Sequence, residues 1–303
     1  MVPKIMKQGR LAPWLYLAPA LLMMTVFIVY PTFSTLRLSF LDAHSVNSAA
    51  SGCIQGQPCW GIFENYRYAL TNPDMLIALR NNAFWLLLML PSTIAGGLFF
   101  AVLADRVRYE SIAKAILFMP MAISFVGASI IWRFVYAIES GSQVQIGLLN
   151  AILVKFGAQP VAWLSNPTIN NFSLMLVGVW LWAGFCMTIL SAAIKGVPAE
   201  ILEASRVDGA NEWAVFWKIM FPTILPTIVV VTTTMSVIIL KIFDVVFVMT
   251  GGYFNTEVIA NRMFKLIVTN TGQSTAIAVL LIILTIPIMI FNVRRFRKEE
   301  ANR

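Results

Sequence analysis

The chain has 303 residues, of which 59% are hydrophobic and 12% charged, and its mean hydropathy is +0.79. That is more apolar surface than one soluble core of this size can bury, so a soluble globular domain is excluded and an all-α integral membrane protein is indicated. The net charge of +8 comes without a basic, aromatic-interleaved patch, which argues against nucleic acid, and a single histidine without clustered cysteines argues against a metal site.

A hydrocarbon core takes roughly 20 apolar residues per crossing helix. The sequence predicts six, at about 11–36, 81–104, 113–136, 171–194, 219–249 and 270–293, in one transmembrane domain covering 1–303. The first follows Lys4, Lys7 and Arg10 as a secretory signal would. Its charge-free run exceeds a signal core of about 7 to 15 residues, however, and no small-residue cleavage site follows Tyr30-Pro31, so it is read as a helix. A loop at 37–80 holds Cys53 and Cys59 in CIQGQPC, which are either a loop-closing disulfide or two free thiols. Arg80, Asn81 and Asn82 are read as the interfacial start of the second helix, and Gly96, Gly97 and Gly127 as points of close helix packing. Cys186 is read as packing within the fourth helix.

If both termini are inside, the inside segments carry fourteen Lys and Arg residues and the outside segments seven. The positive-inside rule then favours N-in, C-in. Loop 37–80 is external in that orientation, and loop 195–222 is cytoplasmic.

A loop that needed only to be soluble would be polar throughout, yet 198–221 places apolar residues at helical spacing. Pro198 suits a helix start, with Glu200 and Glu203 near its N-terminal end. Asp208-Gly209 ends that helix, and Asn211 caps a second one. On the second helix Trp213, Phe216, Trp217 and Met220 form one face, which lies either on the protein's own helices and the membrane interface or in a groove of another protein.

Glu203-Ala204-Ser205, Asp208-Gly209-Ala210, Ile219, Pro222 and Pro226 resemble the EAA loop of ATP-binding-cassette importer permeases, departing from it at Ser205 and Phe221. The stretch KIFDVVFVMTGGYFNT at 241–256, the opening YLAPALLMMTVFIVYPTFSTLRLSF and Phe63-Glu64-Asn65-Tyr66 are similar to the carbohydrate permeases of that family, the maltose and alpha-glucoside type above all. Tyr253-Phe254 stands where that branch often has Gly-Pro. The resemblance implies an inner-membrane permease subunit of a binding-protein-dependent importer. Its implied partners are a second permease subunit, two cytoplasmic ATPases, an extracytoplasmic sugar-binding protein and the lipid bilayer. The implied ATPase-docking residues are Glu203, Ala204, Ser205, Asp208, Gly209, Ala210, Trp213, Phe216 and Trp217.

No phosphate-cradling GxxxxGK[ST] occurs, so the chain itself holds no cofactor and ATP with its Mg²⁺ belongs to a partner. Neither a catalytic constellation nor a G-x-S-x-G is present, which argues against an enzyme. For a hydroxyl-rich solute the candidate path is Gly178, Trp182 and Phe185 at i, i+4 and i+7, with Thr234, Lys241 and Asp244. Lys241 and Asp244, three residues apart, read equally as polar lining or as a structural ion pair, whereas aromatic stripes in membrane helices are more often lipid-facing or packing than solute-facing. The expected cargo is an alpha-glucoside or related oligosaccharide, with a polyol, a glycerol phosphate or a compatible-solute glycoside as alternatives. An ion-coupled secondary transporter is the rival class.

Overall fold

A computed structural model describes residues 12–42, 59–60, 62–139 and 145–301. Cys53 lies outside them, as does the side chain of Cys59, so the CIQGQPC expectation falls outside the described residues. Among the described residues the structure is helical apart from a two-residue antiparallel pair, β1 (Leu41–Asp42) with β2 (Cys59–Trp60). Among the described residues, five helices are long and apolar enough to cross a membrane: Trp14–Ser39, Pro73–Ala104, Asn170–Lys195, Glu212–Leu240 and Thr271–Phe291. A sixth crossing is formed if the bent pair Glu110–Ala122 and Phe125–Val135 counts as one span. The single domain expected from sequence divides into two compact units, Met1–Ala69 with Lys265–Leu280 and Leu70–Phe264 with Leu281–Arg303.

In the first unit, α1 (Ala12–Met24) and α2 (Tyr30–Ser39) join through a π-helical turn at Thr25–Val29. The turn sits just ahead of Pro31, whose ring would clash with the carbonyl four residues back in a regular helix; widening the turn relieves that. The side chain of Asn65, on α3 (Ile62–Thr71), donates to the carbonyls of Ser39 and Leu41 at 3.0 and 3.1 Å. Tyr66 Oη meets Ser39 Oγ at 2.8 Å. The Asn-Tyr pair thus closes the chain after α2.

The second unit is built on α4 (Pro73–Ala104) and α8 (Asn170–Lys195), with α5 (Glu110–Phe118), α6 (Phe125–Val135) and α7 (Leu148–Lys155) between them in sequence. Asn72 caps α4 by accepting the Asp74 N–H at 3.0 Å, with Pro73 at the first position. Trp85 bonds Asn171 at one end of this pair and Asp105 bonds Ser191 at the other, so α4 and α8 run in the same direction. Trp85, Met89, Leu174, Val177 and Leu181 are buried between them. At Gly97 a Cβ would overlap Cys186 and the Met187 backbone, and at Gly184 it would overlap the Leu117 carbonyl; both glycines set how closely helices approach.

Three expected boundaries differ. The helix expected at 113–136 is two helices bent by 98°. Pro120 lies in the 3₁₀ turn Met119–Ala122, and Ser124 opens α6 by accepting the Gly127 N–H. The helix expected at 219–249 instead starts at Glu212 and stops at Leu240. It comprises α10 (Glu212–Val215), a π turn at Phe216–Met220 that again precedes a proline, Pro222, and α11 (Phe221–Leu240). The chain resumes as α12 (Asp244–Met249), α13 (Ile259–Leu266) and α14 (Thr271–Ala301). The second helix also begins at Pro73, so Asn81 and Asn82 are interior to it rather than at its start.

Candidate functional site

At one end of the second unit the segment after α8 folds as a helix-turn-helix. Its first helix, α9 (Ala199–Val207), ends at Asp208, and Gly209 follows at φ +85°, a left-handed conformation that favours glycine. The Ala210 N–H closes the turn on the Ser205 carbonyl at 3.0 Å. Asn211 then caps α10, its side chain accepting the Ala214 N–H at 2.8 Å. Glu203, Ala204, Asp208 and Gly209 are exposed, Ala210 is half-buried, and Ser205 is buried with its hydroxyl donating to the Leu202 carbonyl.

The aromatic face of the second helix has a different setting. Trp213, Phe216 and Trp217 line an apolar groove together with α4, and the Trp213 and Trp217 rings meet edge to face at 5.7 Å. Glu212 ties the loop's two helices to the end of α4. Its carboxylate accepts from Arg206 Nε at 2.9 Å and from the Arg106 guanidinium at 3.2 Å. Beside it, Lys114 pairs with Asp105 at 2.6 Å and Glu110 at 2.5 Å, and Glu110 also pairs with Lys195. The ends of α4, α5 and α8 are thereby pinned to one another next to the loop.

Deeper in the unit, the two breaks at 122–124 and 241–243 flank a cavity of about 280 Å³. Phe125, Trp182, Lys241, Phe243 and Asp244 line it. Trp182 stacks on Phe125 at 5.6 Å and 28° and meets the Phe185 ring edge to face at 5.7 Å. Such a paired ring surface offers a flat apolar platform beside an ammonium and a carboxylate.

Several expected path residues are placed otherwise. Lys241 and Asp244 form no ion pair with each other, because the helix ends at Leu240 and the three-residue spacing no longer stacks them. The gap at Gly178 is filled by Met89, so that glycine serves packing of α8 on α4. Thr234 is exposed, spends its hydroxyl on the Val230 carbonyl at 2.9 Å, and does not line the cavity.

Sequence reasoning missed a clamp of four asparagines. Asn81 Nδ2 donates to the carbonyls of Asn255 and Glu257 at 2.7 and 2.8 Å, and Asn170 Nδ2 donates to that of Phe254 at 2.7 Å. Asn171 Oδ1 accepts from Trp85 at 3.2 Å while its amide faces the Asn255 carbonyl at 3.4 Å. Asn82 donates to the Leu240 carbonyl at 3.1 Å and accepts the Ile259 N–H at 2.9 Å, satisfying the open end of α11 and the open start of α13 with one side chain. The clamped segment needs holding, since Gly251, Gly252, Phe254 and Asn255 all have positive φ. The available signal was the repeated Asn-Asn pair, at 81–82 and 170–171, each opening an apolar run.

Comparison with known proteins places this geometry in context. The chain is 49% identical to the osmoprotective compounds uptake permease protein GgtC of Synechocystis sp., over 95% of this chain and 100% of that one. It is 44% identical to the alpha-glucoside transport system permease protein AglF of Rhizobium meliloti, over 97% of this chain and 84% of that one. The fold matches a crystal structure of a bacterial ABC transporter involved in import of the acidic polysaccharide alginate, with a TM-score of 0.71 at 20% identity, covering 94% of this chain and 95% of that one. Residues 83–298 match the family model for the binding-protein-dependent transport system inner membrane component. With the loop, the broken helices and these likenesses together, the chain belongs to the inner-membrane components of binding-protein-dependent transport systems, as a multi-pass permease subunit.

Proposed function

We propose that this subunit forms part of an import path for a small neutral glycoside, an alpha-glucoside or related oligosaccharide, driven by ATP that a separate subunit hydrolyses. The observation that carries the substrate reading is the cavity at the two helix breaks. Stacked Phe125 and Trp182 present an apolar face to a sugar ring, and unpaired Lys241 and Asp244 supply hydrogen bonds to its hydroxyls. The alpha-glucoside relative supports the same class. The relative named for osmoprotective compounds favours one second reading, a compatible-solute glycoside, which the same cavity chemistry suits.

The energetic side of the proposal follows from the loop. With N-in, C-in orientation, exposed Glu203, Ala204, Asp208 and Gly209 face the cytoplasm and dock a partner ATPase that holds ATP and Mg²⁺. Ser205, Trp213, Phe216 and Trp217 belong to the same docking loop as the side that seats it on its own bundle. A second permease subunit completes the path, two ATPases bind the paired loops, and a binding protein delivers solute outside. Docking and transport are then reciprocally linked: if ATP binding favours one state of the cavity, that state favours ATP binding by the same factor.

The test is uptake of labelled trehalose, sucrose and maltose into proteoliposomes holding the chain with its co-expressed subunits and binding protein. ATP-dependent uptake of at least one, unaffected by collapsing ion gradients, is the expected result. Uptake driven by an ion gradient without ATP contradicts the proposal.

A further inference from the structure

Asp105, the residue after α4, uses only half of its carboxylate. Its Oδ1 accepts from Lys114 Nζ at 2.6 Å and from Ser191 Oγ at 2.8 Å. Its Oδ2 is buried and, among the described residues, has no hydrogen-bond partner. A carboxylate oxygen can accept two hydrogen bonds, and burying one without a donor is costly.

Glu212 is in the opposite condition, one carboxylate serving two cations. Arg206 Nε reaches its Oε1 at 2.9 Å and the Arg106 guanidinium its Oε2 at 3.2 Å. Arg206 spends one donor of five there, and the other four meet no acceptor among the described residues.

One cavity of about 190 Å³ joins the two carboxylates, lined by Asp105, Arg106, Arg206 and Glu212 with Val215 and Met220. At about 30 Å³ for a water molecule, it has room for a guanidinium group. If Arg206 crossed it, Glu212 would keep Arg106 and Asp105 would gain a donor for Oδ2, so neither carboxylate is left alone in either arrangement. Two packings that both satisfy their charges are what a bistable contact requires. Arg206 stands in the last turn of α9, just ahead of the turn at Gly209. Because Oδ2 is buried, the crossing carries α9 toward the ends of α4 and α8 and is more than a side-chain rotation.

We propose that Arg206 exchanges between Glu212 and Asp105, giving the loop two seated positions, one braced within the loop and one latched to the ends of α4 and α8. Asp105 is then a positioning residue that acts on the loop through Arg206. Only the consequence rests on the docking reading above: a docked ATPase selects between the two positions.

The experiment is ¹⁹F NMR of 5-fluorotryptophan protein, the chain with its co-expressed subunits in nanodiscs. Trp213, beside Glu212 and 71% exposed, is the reporter, and Trp213→Phe assigns its signal. Asp105→Asn and Glu212→Gln should shift its two-state ratio in opposite directions, each by about fivefold, the scale of one ion pair near a surface. Arg206→Gln should abolish both responses. Shifts in the same direction, or none with Asp105→Asn, overturn the proposal. Should Asp105→Asn fail to fold, exposed Glu212 and Arg206 still decide: a Glu212→Gln shift that persists without Arg206 overturns the proposal, and one that needs Arg206 supports it. Repeating the series with ATP and Mg²⁺ separates the two readings. A ratio that follows the variants but not ATP supports the exchange and contradicts docking, whereas a ratio that follows ATP but not the variants overturns the exchange alone.

Discussion

Asn82 is the residue on which the end of the second unit opposite the loop most plainly depends. One amide side chain satisfies the carbonyl of Leu240 and the N–H of Ile259, both left open by helix ends at buried residues. Asn82→Leu strands both groups, at about 1 to 3 kcal/mol each. Thermal unfolding in mild detergent should show a clear loss of stability, and an unchanged midpoint would mean that water or another group satisfies them. At the cavity, Trp182→Ala removes the platform that stacks on Phe125. Loss of about 1.4 kcal/mol of sugar contact corresponds to a roughly tenfold rise in apparent substrate KM. That rise should appear with little change in basal ATPase rate, whereas a structural role alone would lower both.

The elements show what a sequence can and cannot carry. Spans were legible because apolar length is a local property, and the loop's turn was legible because Asp208-Gly209 and Asn211 act on their own backbone. The bend at 122–124 had local markers in Pro120 and Ser124 that a hydropathy reading passes over. The break after Leu240 had none. Neither Gly nor Pro lies at Lys241, Ile242 or Phe243; the break is stabilised by Asn82, 158 residues away. A period-based pairing of Lys241 with Asp244 failed for that reason, and the apparent gap at Gly178 failed because Met89 comes from another helix to fill it. On the loop itself, Asn211→Ala removes the α10 cap, at about 1 kcal/mol. Hydrogen exchange should rise at Glu212 to Val215 with little change in α8; equal exchange in both proteins would mean that the cap carries no weight there.

For the molecule as a whole, the central claim is that the membrane conduit is driven through loop 195–222 by an ATPase carried on another chain. The ion pairs at the ends of α4, α5 and α8 hold that end of the unit as a frame beside the loop. Co-purification from native membranes, comparing wild type with Glu203→Ala/Asp208→Lys, tests this most directly. Both side chains are exposed, so the double change leaves the fold intact by the measure of gel filtration and helicity. An ATPase that accompanies the wild type and is lost from the variant is the predicted result. Equal retention by both, or an ATPase absent from the wild type under mild extraction, would contradict the account.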